Sequence, residues 1–207
     1  TIEAVNIFSN SSVHNAGGLS IGKNVEDING GAIKLYNSII GENGATDKGG
    51  GICMDSSVLI RNTSINNNSS QNGGGLYIGN TATVHMWIES YINNNYAYNN
   101  GGGVYIGEKA GFLLTDNNIY QNNCDKNGTG VYVRGKFQMF SIASVDESNE
   151  VYLTRNTYIS IIDRLLKPSG YVAVIRTTLT DAGTIIAQVE YSTDAQNELY
   201  YAGDAVA

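Results

Sequence analysis

Short apolar pairs recur along this chain, each split by one residue and each placed just after a run of glycine. They read Gly17-Gly18-Leu19-Ser20-Ile21, Gly50-Gly51-Ile52-Cys53-Met54, Gly74-Gly75-Leu76-Tyr77-Ile78 and Gly102-Gly103-Val104-Tyr105-Ile106. A decayed copy is Gly128-Thr129-Gly130-Val131-Tyr132-Val133. From Leu19, the first apolar positions are 33, 24, 28 and 27 residues apart. A second motif, Ile-x-x-Asn, keeps the same beat from Ile7, Ile40, Ile65, Ile92 and Ile119, at intervals of 33, 25, 27 and 27. Two motifs with matching irregularity describe one repeating unit. The long first interval holds an extra Gly30-Gly31-Ala32-Ile33, either an insertion or a short additional coil.

A third apolar patch lies between the two motifs, as in Val58-Leu59-Ile60, His85-Met86-Trp87-Ile88 and Phe112-Leu113-Leu114. The pattern predicts three short strands per unit, separated by turns. A unit this short cannot bury its own apolar face, so units must stack, about 4.8 Å apart. The expected fold is all-β: a single-stranded right-handed parallel β-helix, a solenoid of residues 1–143. Handedness rests on the usual sense of parallel crossovers.

Strand alternation assigns faces. Leu19, Ile52, Leu76, Val104 and Val131 should form one inward column, and Ile21, Met54, Ile78, Ile106 and Val133 a second. The residues between them, Ser20, Cys53, Tyr77, Tyr105 and Tyr132, should point outward. Asn10, Asn43, Asn68, Asn95 and Asn122 fall at one repeated turn. Asparagine tolerates the left-handed conformation and both donates and accepts, so these five are expected to form a structural ladder.

After Val133 the glycine motif stops. Glu150–Leu153, Tyr158–Ile162, Tyr171–Arg176 and Gly183–Tyr191 read as strands, with turns at Lys167–Gly170 and Asp181–Gly183. A solenoid needs a cap over its last rung. Residues 144–207 are therefore expected to form terminal coils and a β cap, or else a small separate β domain.

Composition adds exclusions. The net charge of −7 and scattered cations argue against nucleic acid. No apolar run is long enough for a membrane-spanning helix. The start at Thr1 carries no signal-peptide pattern, and a fragment of a longer protein is expected. Cys53 and Cys124 are expected to be free thiols. His14 and His85 lack companion ligands, so neither a metal nor another cofactor is expected. Asp47, Asp55, Asp116 and Asp125 are isolated in sequence and read as turn carboxylates, although coils could bring such residues together.

The glycine motif and Ile-x-x-Asn together resemble the polymorphic outer-membrane protein repeat, from about Ile7 to Val133. Ile stands where Phe is typical of that family, and Gly replaces Ala in most copies. More broadly the chain is similar to the pectate-lyase-like parallel β-helix superfamily. The resemblance implies a secreted or cell-surface bacterial protein of adhesin or passenger type. The expectation is a non-enzymatic monomer that offers a lateral surface to a glycan or a host surface protein. Tyr77, Tyr105 and Tyr132 are its candidate binding strip, against the plainer reading of a ladder that stiffens the sheet. The alternatives are a polysaccharide lyase or glycoside hydrolase, and a purely structural envelope spacer.

Overall fold

The computed structural model describes residues 1–25, 31–79, 81–165, 173–177, 185–190 and 199–201. They form an all-β parallel helix with no α-helix, so none long and apolar enough to cross a membrane. Each full coil carries four strands, not three, and like strands of successive coils pair in four sheets.

The first sheet holds the third apolar patch: Ile2–Glu3, Ile33–Tyr36, Val58–Arg61, Thr83–Trp87, Gly111–Thr115, Lys136–Ser141, Ile159–Leu165 and Ile185–Glu190, all parallel. Leu199–Tyr201 closes this sheet in the antiparallel sense. The second sheet carries the Ile of Ile-x-x-Asn, with Ile7, Ile40, Ile65, Ile92, Ile119 and Val145 in register. The fourth sheet carries the post-glycine strands. There Leu19, Ile52, Leu76, Val104, Val131, Val151 and Ile175 align rung on rung. Both columns expected to face inward do so; from Ile52 to Val133 all eight of their members are fully buried.

The unexpected third sheet is short: Ser11–Ser12, Gly44–Ala45, Ser69–Asn72, Tyr96–Asn100 and Asn123–Cys124. Its inward residues are small, such as Ala45, Ser70 and Ala97. The glycine motif explains why. A Cβ on Gly74 would lie 2.3 Å from the Tyr96 carbonyl oxygen and 2.6 Å from that of Gly102. The coil is pinched here until backbones touch, which only glycine permits. Three residues before the first apolar position of each copy of the motif, Ala16, Gly49, Gly73, Gly101 and Gly128 take φ between +54° and +70°.

The decay of the motif at Thr129 has a matching cause. The third sheet ends at Asn123–Cys124, and the next coil runs from Val145 to Glu150 with no third-sheet strand. No third-sheet carbonyl overlies this slot, and the Thr129 hydroxyl instead accepts the Glu150 amide at 2.8 Å.

The extra residues of the first interval do not add a coil, since the strands on either side pair directly with those of the next coil. Ile33 belongs to the first sheet, so residues 22–32 are simply a longer connection from the fourth sheet to the first. Successive equivalents span 55–57, 79–82, 107–110, 134–135 and 154–158. Stacking continues beyond Ser144, since Ser144–Val145, Glu150–Leu153 and Ile159–Leu165 each join a sheet begun by earlier coils. The turns expected at Lys167–Gly170 and Asp181–Gly183 lie outside the described residues.

Candidate functional site

The asparagine ladder is present, and it is longer by one rung than the motif indicated. At each step the backbone N–H and Nδ2 of one asparagine both donate to Oδ1 of the next. The distances are 3.1 and 3.0 Å for Asn10 to Asn43, and 3.0 Å for both bonds through Asn43, Asn68, Asn95 and Asn122. Asn122 continues to Asn149 at 3.1 and 3.0 Å. Each interior Nδ2 also donates to an isoleucine carbonyl one coil back, such as Asn95 to Ile65 at 2.9 Å. Asn43 through Asn149 are buried, while Asn10 at the first coil is exposed. The left-handed conformation falls elsewhere than expected. It belongs to the preceding residue, Ser9, Glu42, Asn67, Asn94 or Gln121, with φ of 54–58°. The ladder asparagines themselves serve through hydrogen bonding.

The outward column of the fourth sheet is the candidate recognition face. Register aligns Ser20, Cys53, Tyr77, Tyr105, Tyr132 and Tyr152. The rings stack face to face along the axis. Centroids are 4.9 Å apart for Tyr77 and Tyr105, 5.1 Å for Tyr105 and Tyr132, and 5.3 Å for Tyr132 and Tyr152. Interplanar angles of 5–22° leave both faces of Tyr105 and Tyr132 occupied by neighbouring rings. The Lys48 ammonium lies 5.2 Å from the centre of the Tyr77 ring. A ligand therefore meets ring edges and phenolic hydroxyls here, and the inner rings have no face free for a sugar to stack upon. The strip is also more sheltered than expected: Tyr105 is only 9% exposed.

This shelter sets the acid–base character of the column. Burial first, and then the neighbouring Tyr105 phenol, push the Tyr77 hydroxyl up to about 12. Burial likewise raises Tyr132. Cys53, in the same outward column, is buried rather than exposed. Burial and then the Asp55 carboxylate push its thiol up to about 11, so at neutral pH it is a protonated thiol. Cys53 and Cys124 lie in different sheets, the fourth and the third, and both are free. The Arg134 guanidinium pairs with Glu108 and donates to the Tyr105 hydroxyl at 3.4 Å, joining the column to the corner beside it.

The four candidate aspartates do not share one cleft. Asp116 occupies the corner between the first and second sheets, and Asp125 follows the third-sheet strand Asn123–Cys124. Asp47 precedes the fourth sheet and Asp55 follows it. Asp125 accepts a hydrogen bond from the Tyr96 hydroxyl. His85 sits in the first sheet with Nε2 3.1 Å from the Thr115 hydroxyl, and burial lowers its pKa. Among the described residues, no three His, Cys, Asp or Glu side chains come together as a metal site would require. No protein-family model, curated protein or solved structure matches the chain.

Proposed function

We infer that this chain is a surface-displayed, non-enzymatic β-helix of adhesin or passenger type, binding a glycan or a host surface protein through its lateral face. The observation that carries the reading is the four-ring tyrosine column. Asn and Gly repeat because stacking demands them, but an outward tyrosine is not required by any coil: the same slot holds Ser20 and Cys53 in earlier rungs. A fixed row of phenolic hydroxyls, anchored by stacking on a rigid sheet, offers donors and acceptors at one-coil intervals with little entropy left to lose on binding. The paired motifs of the polymorphic outer-membrane repeat support placement at a bacterial cell surface or outside the cell.

The enzymatic alternative is less well supported, because Asp55 and Asp116 occupy different corners, and Asp47 and Asp125, though both between the third and fourth sheets, stand three coils apart. The test is binding of the folded chain to glycan and host-protein arrays. A ligand whose affinity falls on Tyr77→Ala, Tyr105→Ala or Tyr132→Ala supports the reading. Absence of any ligand, or binding indifferent to all three substitutions, refutes the tyrosine face.

A further inference from the structure

The corner between the fourth and first sheets holds a pocket of about 370 Å³. It is assembled from three successive coils, by their connections and the starts of the first-sheet strands that follow. One contributes Glu108, Lys109 and Ala110, the next Arg134 and Lys136, and the third Tyr158 and Ser160. This volume lies toward the small end of ligand sites, roughly 300–1,000 Å³, and suits a compact ligand rather than a flat protein surface.

Three features define what fits. First, charge: three cations and one carboxylate line the pocket, a local balance of +2 in a chain of net charge −7. Glu108 engages Arg134 and so fixes the guanidinium, while Lys109 and Lys136 are exposed and have no ion-pair partner among the described residues. Second, the wall: Tyr158 and Ala110 supply an aromatic and an aliphatic surface, against which the C–H face of a sugar can lie. Third, an unmade hydrogen bond: Ser160 is 1% exposed, and its hydroxyl has no partner among the described residues. Buried hydroxyls are ordinarily bonded, and an orphan in a pocket wall is a vacant polar contact.

The geometry points to a binding site for an anionic sugar unit, one bearing a carboxylate or a sulfate. Lys109 and Lys136 would meet the anionic group, Tyr158 the ring, and Ser160 a ring hydroxyl. A nucleic acid is disfavoured because its extended phosphate backbone needs a continuous basic stripe, whereas the cations of this chain are scattered outside the pocket. The site deepens the reading of the chain as a lateral-face binder and lies next to the tyrosine column, since Arg134 contacts both.

The test is calorimetry on the full chain with three oligosaccharides of equal length: a sulfated one lacking uronate, an unsulfated oligogalacturonate, and an uncharged malto-oligosaccharide. At least one anionic probe should bind, more weakly as salt rises, and the neutral probe should not. Which anionic probe wins identifies the group. The double variant Lys109→Glu, Lys136→Glu changes only exposed side chains, and should weaken binding about tenfold or more while leaving the melting temperature in place. Ser160→Ala should weaken binding without lowering stability, since it removes a hydroxyl that makes no bond among the described residues. The inference is overturned if neither anionic probe binds, if the neutral probe binds as well, or if the double charge reversal has no effect. Array ligands held by the tyrosine column alongside no anionic-sugar binding would overturn only this site. Anionic-sugar binding indifferent to Tyr77→Ala would leave it standing.

Discussion

Alanine at two asparagines of the same motif should differ sharply in cost. Asn95 is in the middle of the ladder. Its Oδ1 accepts from the Asn68 backbone and from Asn68 Nδ2, both at 3.0 Å. Its Nδ2 donates to the Ile65 carbonyl at 2.9 Å and to Asn122 Oδ1 at 3.0 Å. Asn95→Ala removes all four. Asn68 Nδ2 retains Ile40, and Asn122 Oδ1 retains the backbone amide of residue 95. The Asn68 N–H, however, is left buried with no acceptor. Four bonds at roughly 0.5–1.5 kcal/mol each, one of them leaving an orphaned donor, give a loss of about 3–5 kcal/mol. Asn10→Ala removes one part-buried side-chain bond, because the backbone bond to Asn43 survives. Its cost should be about 0.5 kcal/mol. Urea unfolding followed by circular dichroism compares the two midpoints. Equal costs, or a loss below about 1 kcal/mol at Asn95, would refute the account of the ladder as a bonded column.

Asn95→Asp adds a sign to this test. The carboxylate would still accept from Asn68 but would face the Asn122 Oδ1 and Ile65 acceptors. That environment raises its folded pKa above the unfolded value, so the variant should be least impaired in acid and lose stability as pH rises through the folded pKa; the reverse trend would contradict the bonding direction. Gly102→Ala places a Cβ 2.3 and 2.5 Å from the carbonyl oxygens of Asn123 and Thr129, and should abolish or severely lower the thermal transition. Gly22→Ala meets nothing within 4 Å and should leave that transition within a degree or two or raise it slightly. Because folding raises the Cys53 thiol from 9.0 to about 11, its contribution is intact below pH 9 and is lost between pH 9 and 11, at most about 3 kcal/mol. The Cys53→Ser variant should lack that alkaline drop, and Cys53 should react with iodoacetamide more slowly than half-exposed Cys124 at pH 8. Tyr105→Phe should retain both stacks and nearly full stability, whereas Tyr105→Ala, which loses two stacks of roughly 0.5–1.5 kcal/mol each as well as the buried ring, should cost more than twice as much in urea.

What could be read from the sequence followed from which slots the stacked backbone constrains. The glycine and isoleucine positions are constrained in nearly every coil, so five copies revealed the repeat and both inward columns. The third sheet was hidden because its inward residues must be small: Gly44-Ala45 and Ser69-Ser70 look like turns, not strands. Asn149 was missed because Val145 replaces Ile and one extra residue separates the pair, yet its amide reaches the same place. Tyr152 was read as part of a strand but not as a rung, because no glycines precede it where the third sheet has ended. The outward direction of the tyrosines was legible from alternation. Their occupied faces were not, because ring stacking depends on register between coils 20 to 28 residues apart. The corner pocket has no linear motif at all, being made of short stretches from three successive coils.

The connection from the fourth sheet to the first varies from two residues, 134–135, to eleven, 22–32, yet the strands on either side keep register. Lengthening a surface loop costs little closure entropy, and here it disturbs neither the bonded column nor the pinch of glycines at the other end of the fourth-sheet strand. This corner is thus the part of the molecule free to diversify. A lineage under pressure to change its ligand could insert or delete residues there, coil by coil, while the spine is inherited unchanged. For a designer it is the natural place to graft a foreign loop.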